Sequence, residues 1–430
     1  MTLEFFNADA SGNEERRLKA LQYKYLSVYV IIQGADWLQG PYLYKLYQSY
    51  GFELVQIAFL FLTGFVSGAL GGTAVGSLAD SWGRRRICIV FCATLILSLL
   101  LRLGPSYPLL VLSHILSGMA ASMQFSVVEA WYVAEHSARG IPADWMSRTF
   151  AKATFLNGLV AIIAGIVANA VVDIWGFTAP FILAILLAIG AGVLITSTWS
   201  ENYGEANSNQ ARLSRTLMDG LKTLWNDSNI LILGAAQTVF ECAMYIFVLL
   251  YTPAIETAAS IHAHRGGDSV TQEDQEIPFG YLFSTMMFAV MMGSITFQKL
   301  EQKGLSWCSK DRLLILALTL AGGAFTAMVY DNSTSLPILV ISYHVFEFTT
   351  GMYFPSISSL KAEVIPEETR AAIMTLLRIP MNFGVGVIMW HADRLSTSTM
   401  FAICSLMTLS GALLVLFKFK SKQMYQQPPE

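Results

Sequence analysis

Ionisable side chains lie inside long apolar segments of this chain, where charge is expensive. A charge at the centre of a bilayer costs at least about 2.5–3.5 kcal/mol, so such residues usually face a cavity or a partner. This pattern is typical of a polar path through a membrane rather than of a purely structural bundle. The residues concerned are Asp36, His114, Glu129, Lys152, Glu241, His344, Glu347 and Arg378.

Arg378 is the only arginine that we place in the middle of an apolar segment. Ile379 and Pro380 follow it directly. Proline removes a helical hydrogen bond, and the freed backbone is tolerated at membrane depth where it lines a cavity. The sequence therefore predicts that Arg378 faces a cavity.

The intramembrane carboxylates suggest proton carriage or gating. Chains of such groups are the usual proton carriers, and Asp36, Glu241 and Glu347 provide three, with a structural hydrogen bond as the alternative. Glu129 lies near one end of its segment, and Arg148 and Lys152 lie one turn apart at the start of the next. These three form either a gate salt bridge or part of a substrate site.

The two histidines have two interpretations. They are contact residues between helices, or they ionise and take part in coupling. We therefore keep His114 among the candidates for proton coupling.

Apolar segments of membrane-spanning length position these groups. The chain has 430 residues, of which 54% are hydrophobic and 13% charged, against roughly 25% charged in soluble domains. A core about 30 Å thick needs roughly 20 apolar residues per helix. We predict spans at 24–46, 53–78, 87–103, 108–131, 147–171, 178–198, 229–253, 279–299, 312–330, 337–358, 368–390 and 397–418.

Six plus six spans predict two helical bundles. The link between them is polar, with leucines at helical spacing, so it holds an amphipathic helix on the inner membrane face or a soluble linker helix. The predicted divisions are an N-terminal segment 1–23, a bundle 24–198, the link 199–228, a second bundle 229–418 and a tail 419–430.

The distribution of Lys and Arg predicts the orientation. With both termini in the cytoplasm, most of the 27 Lys and Arg lie on the inner side, as the positive-inside rule requires. Residues 1–20 are polar, so no signal peptide is expected. We expect a multi-pass protein, in the plasma membrane or an internal membrane. The outer cations are Lys45, Arg102, Arg265 and Arg394.

Several classes of function are excluded. Lys and Arg are sorted by side rather than pooled, so no nucleic-acid partner is expected. The five cysteines form no C-x-x-C pair and have no neighbouring His ligands, so no metal, cofactor or disulfide framework is predicted. No catalytic set indicates an enzyme. Asn332 begins a glycosylation sequon on the predicted outer side, close to a span.

The segment after the second span carries a specific motif. Gly76, Asp80, Gly83, Arg84 and Arg85 fit G-x-L-A-D-x-x-G-R-R. So short a link needs glycine to turn, an acid at a helix end and cations on the cytoplasmic side. The motif resembles the loop between helices 2 and 3 of the major facilitator superfamily of transporters.

That resemblance implies an all-α polytopic protein with twelve transmembrane helices in two six-helix bundles around a central cavity. In the superfamily, helices 1, 4, 7 and 10 line this cavity and helices 2, 5, 8 and 11 flank it. Every intramembrane ionisable group named above falls on one of these helices.

Further matches narrow the resemblance to the molybdate-anion transporter family and run from helix 1 to helix 12. Two departures concern the wider superfamily. His114 stands where many relatives have an arginine tied to proton coupling, and the Gly-Pro antiporter motif of helix 5 is missing. The matching segments are Asp36–Tyr47, Glu129–Tyr132, Pro142–Trp145, Glu201–Tyr203, Tyr353–Ser356 and Val364–Glu367.

The family resemblance implies uptake of molybdate, a tetrahedral dianion. Such an ion needs fixed cations and hydrogen-bond donors, and a planar guanidinium suits an oxyanion better than an ammonium. We assign this role to Arg378. Lys152 would receive the ion as the cavity opens inward, and further donors would be Asn382, Gln237, Tyr42 and Tyr353.

The predicted function is secondary active import of molybdate, with protons as a possible coupling ion and the lipid bilayer as its environment. Tungstate should compete well and sulfate less well. A transporter of a neutral or organic solute such as a sugar, and a transport-inactive receptor or scaffold, are the alternatives.

Overall fold

A computed structural model describes the helical part of the chain. It covers residues 2–203, 218, 220–266, 277–303, 308–366, 370–391 and 394–419. Within these ranges the side chains outside the description are those of 2–13, 72–77, 80, 125, 263–266, 331–332, 370–372, 375, 382 and 389. Asn382, Gly76, Asp80 and Asn332 are therefore placed by their backbone alone, and most of the 199–228 link lies outside the described residues.

The chain divides into two compact units. Unit 1 comprises Met1–Phe52, Leu60–Ser208 and Phe279–Ser284, and unit 2 comprises Glu53–Phe59, Asn209–Pro278 and Thr285–Glu430.

Eight α-helices precede the link. They are α1 (Thr2–Trp37), α2 (Leu43–Ser49), α3 (Leu54–Trp82), α4 (Arg84–Arg102), α5 (Tyr107–Met123), α6 (Glu129–Ala138), α7 (Met146–Trp175) and α8 (Ala179–Thr198). A π-helical turn, Gln124–Val128, joins α5 to α6 without a break in the helical rod. Such turns often occur at functional sites.

The residues described after the link form six α-helices. They are α9 (Ser228–Gly266), α10 (Phe279–Gln302), α11 (Lys310–Val329), α12 (Leu336–Val364), α13 (Arg370–Trp390) and α14 (Thr397–Lys418). In unit 2, α9 packs against α12, α13 and α14. Eight segments of the described residues have the length and apolar composition of a membrane span, and Leu376–Ile388 is a shorter apolar stretch.

Glycines let helices approach closely in both units. In unit 1 a Cβ atom on Gly118 of α5 would overlap the carbonyl oxygen of Gly64 on α3. In unit 2 a Cβ on Gly351 of α12 would overlap the carbonyl oxygen of Val290 on α10. Membrane helices associate largely through such small-residue contacts, because lipid removes the hydrophobic driving force between them.

Candidate functional site

Unit 2 brings together five polar residues that we call the charge cluster: Gln237 and Glu241 of α9, Tyr353 and Lys361 of α12, and Arg378 of α13. The Lys361 ammonium donates a hydrogen bond to Gln237 Oε1. The Tyr353 hydroxyl lies 3.5 Å from Glu241 Oε1 and donates to it. Glu241 also interacts electrostatically with Lys361 and Arg378. The cluster thus holds two cations and one carboxylate.

Helical spacing explains how the cluster forms. Gln237 and Glu241 are four residues apart and Tyr353 and Lys361 eight apart, so each pair lies on one face of its helix. The Tyr353 ring stacks on Phe240 of α9 with centroids 3.8 Å apart. This stack fixes the register in which α12 presents its polar face to α9.

Lys361 and Arg378 differ in their surroundings. Lys361 is only 5% exposed, whereas Arg378 is exposed in unit 2 and forms no hydrogen bond or ion pair with any described residue. Pro380 lies inside α13 and removes the hydrogen bond that the Leu376 carbonyl would accept. Among the described residues, no acceptor therefore occupies the guanidinium donors of Arg378.

Glu347 of α12 lies outside the charge cluster. It is 8% exposed, and among the residues described here none donates a hydrogen bond to it. His344, three residues earlier, is occupied: its Nδ1 lies 2.7 Å from the Val340 carbonyl oxygen and its Nε2 2.8 Å from Thr285 Oγ1. His344 is thus a helix-contact residue in this structure.

Unit 1 has a neutral counterpart, which we call the amide cluster: Gln33 and Trp37 of α1, Gln124 at the π-helical turn and Asn157 of α7. Gln33 Nε2 and Trp37 Nε1 both donate to Asn157 Oδ1, at 2.5 and 2.8 Å. Gln124 Nε2 donates to Gln33 Oε1. Asn157 Oδ1 thus accepts two hydrogen bonds, and the network joins three helices without a formal charge.

A buried arginine forms a second polar group in unit 1. Arg102, at the end of α4, is 3% exposed. Its Nε donates to Ser113 Oγ at 3.0 Å, and its Nη1 donates to Gln39 Oε1. The exposed Asp36 interacts electrostatically with it. The sequence places Arg102 only among the outer cations, because it stands at the very end of an apolar run.

His114 is buried against Tyr47. Its Nε2 lies 2.8 Å from the Tyr47 hydroxyl, and its Nδ1 lies 3.2 Å from where a Cβ atom on Gly64 would stand. The contact joins α5 to α2 and α3. In this structure His114 is therefore a helix-contact residue, and its predicted coupling role stays a prediction.

The three gate candidates do not pair in this structure. Glu129 is exposed and lines an open pocket of about 480 Å³ together with Arg84 and Ser126. The Arg148 guanidinium lies 4.8 Å from the centre of the Trp145 ring, and Lys152 Nζ donates to Gln22 Oε1 at 2.8 Å. The gate role of these residues thus stays a prediction.

Tyr42 is also engaged. Its hydroxyl donates to Asn169 Oδ1 of α7 at 2.8 Å and accepts the Gly280 N–H at 3.3 Å. Tyr42 can donate to a ligand only if its bond to Asn169 breaks.

The loop motif forms the tight turn that the sequence predicts. Gly83 is the single non-helical residue between α3 and α4, with φ of 104°. The N–H of Arg85 donates to Glu201 Oε1 at 2.9 Å, and Arg86 Nε lies 3.7 Å from Glu201 Oε2. Glu201 therefore supplies the acid at the start of α4, where a carboxylate is favoured.

Comparison with known proteins identifies the family of this chain. Residues 1–336 match a family model described as sugar transporters with 12 transmembrane segments. The molybdate-anion transporter of Xenopus tropicalis is 32% identical over 96% of this chain and 88% of its own length, and that of Danio rerio is 31% identical over 93% and 87%. The chain belongs to the molybdate-anion transporter family.

The solved structures show that this family member has the major facilitator fold. A crystal structure of the nucleoside transporter NupG superposes with a TM-score of 0.69 at 13% identity, over 95% of this chain and all of that one. The prediction of an all-α twelve-helix transporter is thereby confirmed, as is the predicted family.

The sequence did not identify Lys361 or the amide cluster as candidate site residues. Lys361 stands three residues before the end of α12, so its backbone position suggests a cation at the inner surface. Its long side chain carries the ammonium inward to Gln237. The spacing Gln33–Trp37, one turn on α1, was the available signal for the amide cluster.

Proposed function

We propose that this chain is a secondary transporter that carries molybdate across a membrane by alternating access. The observation that carries the proposal is the pair of cations that act on Glu241 in unit 2 of a molybdate-anion transporter family member, the buried Lys361 and the exposed Arg378. A neutral solute requires no such pair, which places a sugar second to an anion. A sugar stays a candidate because the description of the family model names sugar transporters.

Arg378 is the residue we assign to the anion. Its guanidinium presents donors in a planar fork that matches two oxygens of a tetrahedral oxyanion. Gln237 and Tyr353 lie in the same cluster as further donors. Asn382, Tyr42 and Lys152 complete the proposed set.

Import needs an energy source. An inside-negative potential of about 100 mV raises the free energy of importing a dianion by about 4.6 kcal/mol. This cost corresponds to a concentration ratio of more than about a thousandfold across the membrane. We propose co-transport with more than two protons per anion, with Glu241 or Glu347 as the carrier. Uptake should then rise at acidic external pH and fall with a protonophore.

We also propose the membrane arrangement. The bundles 24–198 and 229–418 are joined by the cytoplasmic link 199–228, both termini are cytoplasmic, and the plasma membrane is the site of action. The five native cysteines are buried, so a cysteine introduced at Arg394 should be labelled from outside and one at Lys222 should not. The reverse pattern would contradict the orientation.

The test of function is molybdenum accumulation in cells that lack this protein and then regain it. We expect accumulation to be restored by the wild-type chain, to be inhibited by tungstate more than by sulfate, and to fail with Arg378→Gln at equal surface expression. Sugar uptake without molybdate uptake would favour the second candidate. Normal membrane expression with uptake of neither would favour a receptor or scaffold.

A further inference from the structure

The net charge of the empty charge cluster does not neutralise a dianion. Lys361 and Arg378 carry two positive charges and Glu241 one negative charge, so the empty cluster has a net charge of about one. A dianion entering it would meet a carboxylate beside its two cations. If Glu241 held a proton, the two cations and the dianion would balance.

We propose that the charge cluster is an oxyanion site in which Lys361 is the second cation and one proton on Glu241 accompanies each bound dianion. The inference rests on the proposed function and deepens it. It assigns a dianion as the ligand of the cluster and Glu241 as the residue whose protonation sets the charge of the site. The proton is taken from water onto a carboxylate oxygen of Glu241 as the anion binds. It returns to water on the other side after the anion leaves.

Lys361 has the surroundings that this role requires. The side chain is almost fully buried, and an ammonium has three donors, of which Gln237 accepts one. A buried cation needs a counter-charge, and Glu241 supplies it while the site is empty. Binding of an anion replaces that counter-charge, which releases Glu241 to take up a proton.

The titratable and charged groups around Glu241 come from three helices. Tyr245 of α9, Tyr353 and Lys361 of α12, and Arg378 of α13 interact with it. The fourth helix packed here, α14, contributes Cys404, which interacts electrostatically with Cys242 of α9. Among these described groups Glu241 is the only carboxylate, so it is the group that offsets a cation of the cluster when ionised and ceases to do so when it takes up a proton.

The sign of the pH dependence follows from linkage. Because the dianion binds the protonated form of Glu241 better, its affinity must rise as pH falls. Reciprocally, the anion must raise the affinity of Glu241 for its proton. A glutamine at position 241 mimics the protonated carboxyl and should remove the dependence.

Equilibrium binding of radiolabelled molybdate to the purified full-length protein tests the proposal, at about pH 6 and about pH 8, where molybdate is a dianion. We expect tighter binding by the wild type at the lower pH. Glu241→Gln should bind at both pH values as tightly as the wild type does at the lower one. Lys361→Met should bind about ten- to a hundredfold more weakly, and Lys361→Arg should keep most of the affinity.

Two further variants separate ligand binding from a structural ion pair. In the double variant Lys361→Met with Glu241→Gln, a structural pair predicts binding restored to the level of Glu241→Gln alone, whereas our proposal predicts binding about ten- to a hundredfold weaker than that level, because one of the two cations is still missing. Lys310→Met is the matched control, because Lys310 pairs with Glu301 and Glu363 elsewhere in unit 2. It should leave molybdate affinity unchanged.

Wild-type affinity in Lys361→Met, or an unchanged pH dependence in Glu241→Gln, would overturn the inference while leaving molybdate transport intact. Absence of both binding and uptake in the wild type would instead contradict the proposed function itself. If Lys361→Met fails to fold, as judged by size-exclusion chromatography, Lys361→Gln and Lys361→Arg decide the same question.

Discussion

The amide cluster of unit 1 and the charge cluster of unit 2 use polar side chains in opposite ways. In the amide cluster, Asn157 Oδ1 accepts two hydrogen bonds and no group is charged. In the charge cluster, the donors outnumber the acceptors, and Arg378 interacts electrostatically with Glu241 but forms no hydrogen bond with a described residue. A satisfied network fixes helices relative to one another, whereas an unsatisfied, charged one is poised to bind a ligand. The comparison predicts that substitutions in unit 1 mainly change stability and those in unit 2 mainly change transport.

The largest expected effect is that of Arg378→Gln. Removing the cation while the dianion still has to be desolvated should lower molybdate uptake about a hundredfold or more. Arg378→Lys should remain about tenfold impaired, because the planar fork is lost. Arg312, an exposed arginine of the same unit, is the matched control, and Arg312→Gln should transport normally. Tracer uptake at equal surface expression makes the comparison, and normal uptake by Arg378→Gln would remove this residue from the mechanism.

Asn157→Leu should affect stability instead. It leaves the buried Gln33 amide without its acceptor, at about 1–3 kcal/mol, and the half-buried Trp37 indole N–H without its acceptor at a smaller cost. We expect a lower melting temperature of the purified protein in detergent, and near-normal molybdate affinity for the fraction that stays folded. Asn157→Asp keeps an acceptor oxygen and should lose less stability. An Asn157→Leu protein of normal stability that binds molybdate weakly would reverse the contrast between the clusters.

Glu347→Gln should have a smaller effect. Glu347 is buried outside the charge cluster, and glutamine is nearly isosteric with a neutral carboxyl. We expect most of the uptake and all of its pH dependence to remain, in contrast to Glu241→Gln. The measurement is uptake as a function of external pH for both variants. Loss of pH dependence in Glu347→Gln alone would transfer the coupling role from Glu241 to Glu347.

The smallest expected effect is that of Tyr353→Phe. The hydroxyl donates to Glu241 at 3.5 Å, which is a long hydrogen bond, and the ring still stacks on Phe240. Molybdate affinity should therefore change by less than about threefold. A loss as large as that of Lys361→Met would show that this hydroxyl contributes as much to anion binding as the Lys361 ammonium does.

The fold was predictable because its signals are local. Each of the twelve apolar runs, and the Gly83 turn, can be recognised within a short stretch of sequence. The turn requires a positive φ, which glycine adopts readily. Arg378 and Glu241 were predictable for the same kind of reason, since a charge inside an apolar run is conspicuous on its own.

The remaining site residues depend on side-chain reach and tertiary contact. Lys361 and Arg102 stand at helix ends, where a charge costs little, and only the folded side chain reveals that it turns inward. Neutral amides such as Gln33 and Asn157 carry a smaller burial cost than charges, so they do not stand out in an apolar segment. Which of them meet is decided by helix packing.

Molybdate counterflow in proteoliposomes tests most directly the claim that the charge cluster of unit 2 binds the transported dianion. Vesicles loaded with unlabelled molybdate and diluted into tracer require binding and alternating access but no coupling ion. We expect the wild-type protein to accumulate tracer transiently, Arg312→Gln and Lys310→Met to match it, and Arg378→Gln and Lys361→Met to stay near the level of empty vesicles. Wild-type counterflow in both of the latter variants would contradict the assignment of the anion site to this cluster.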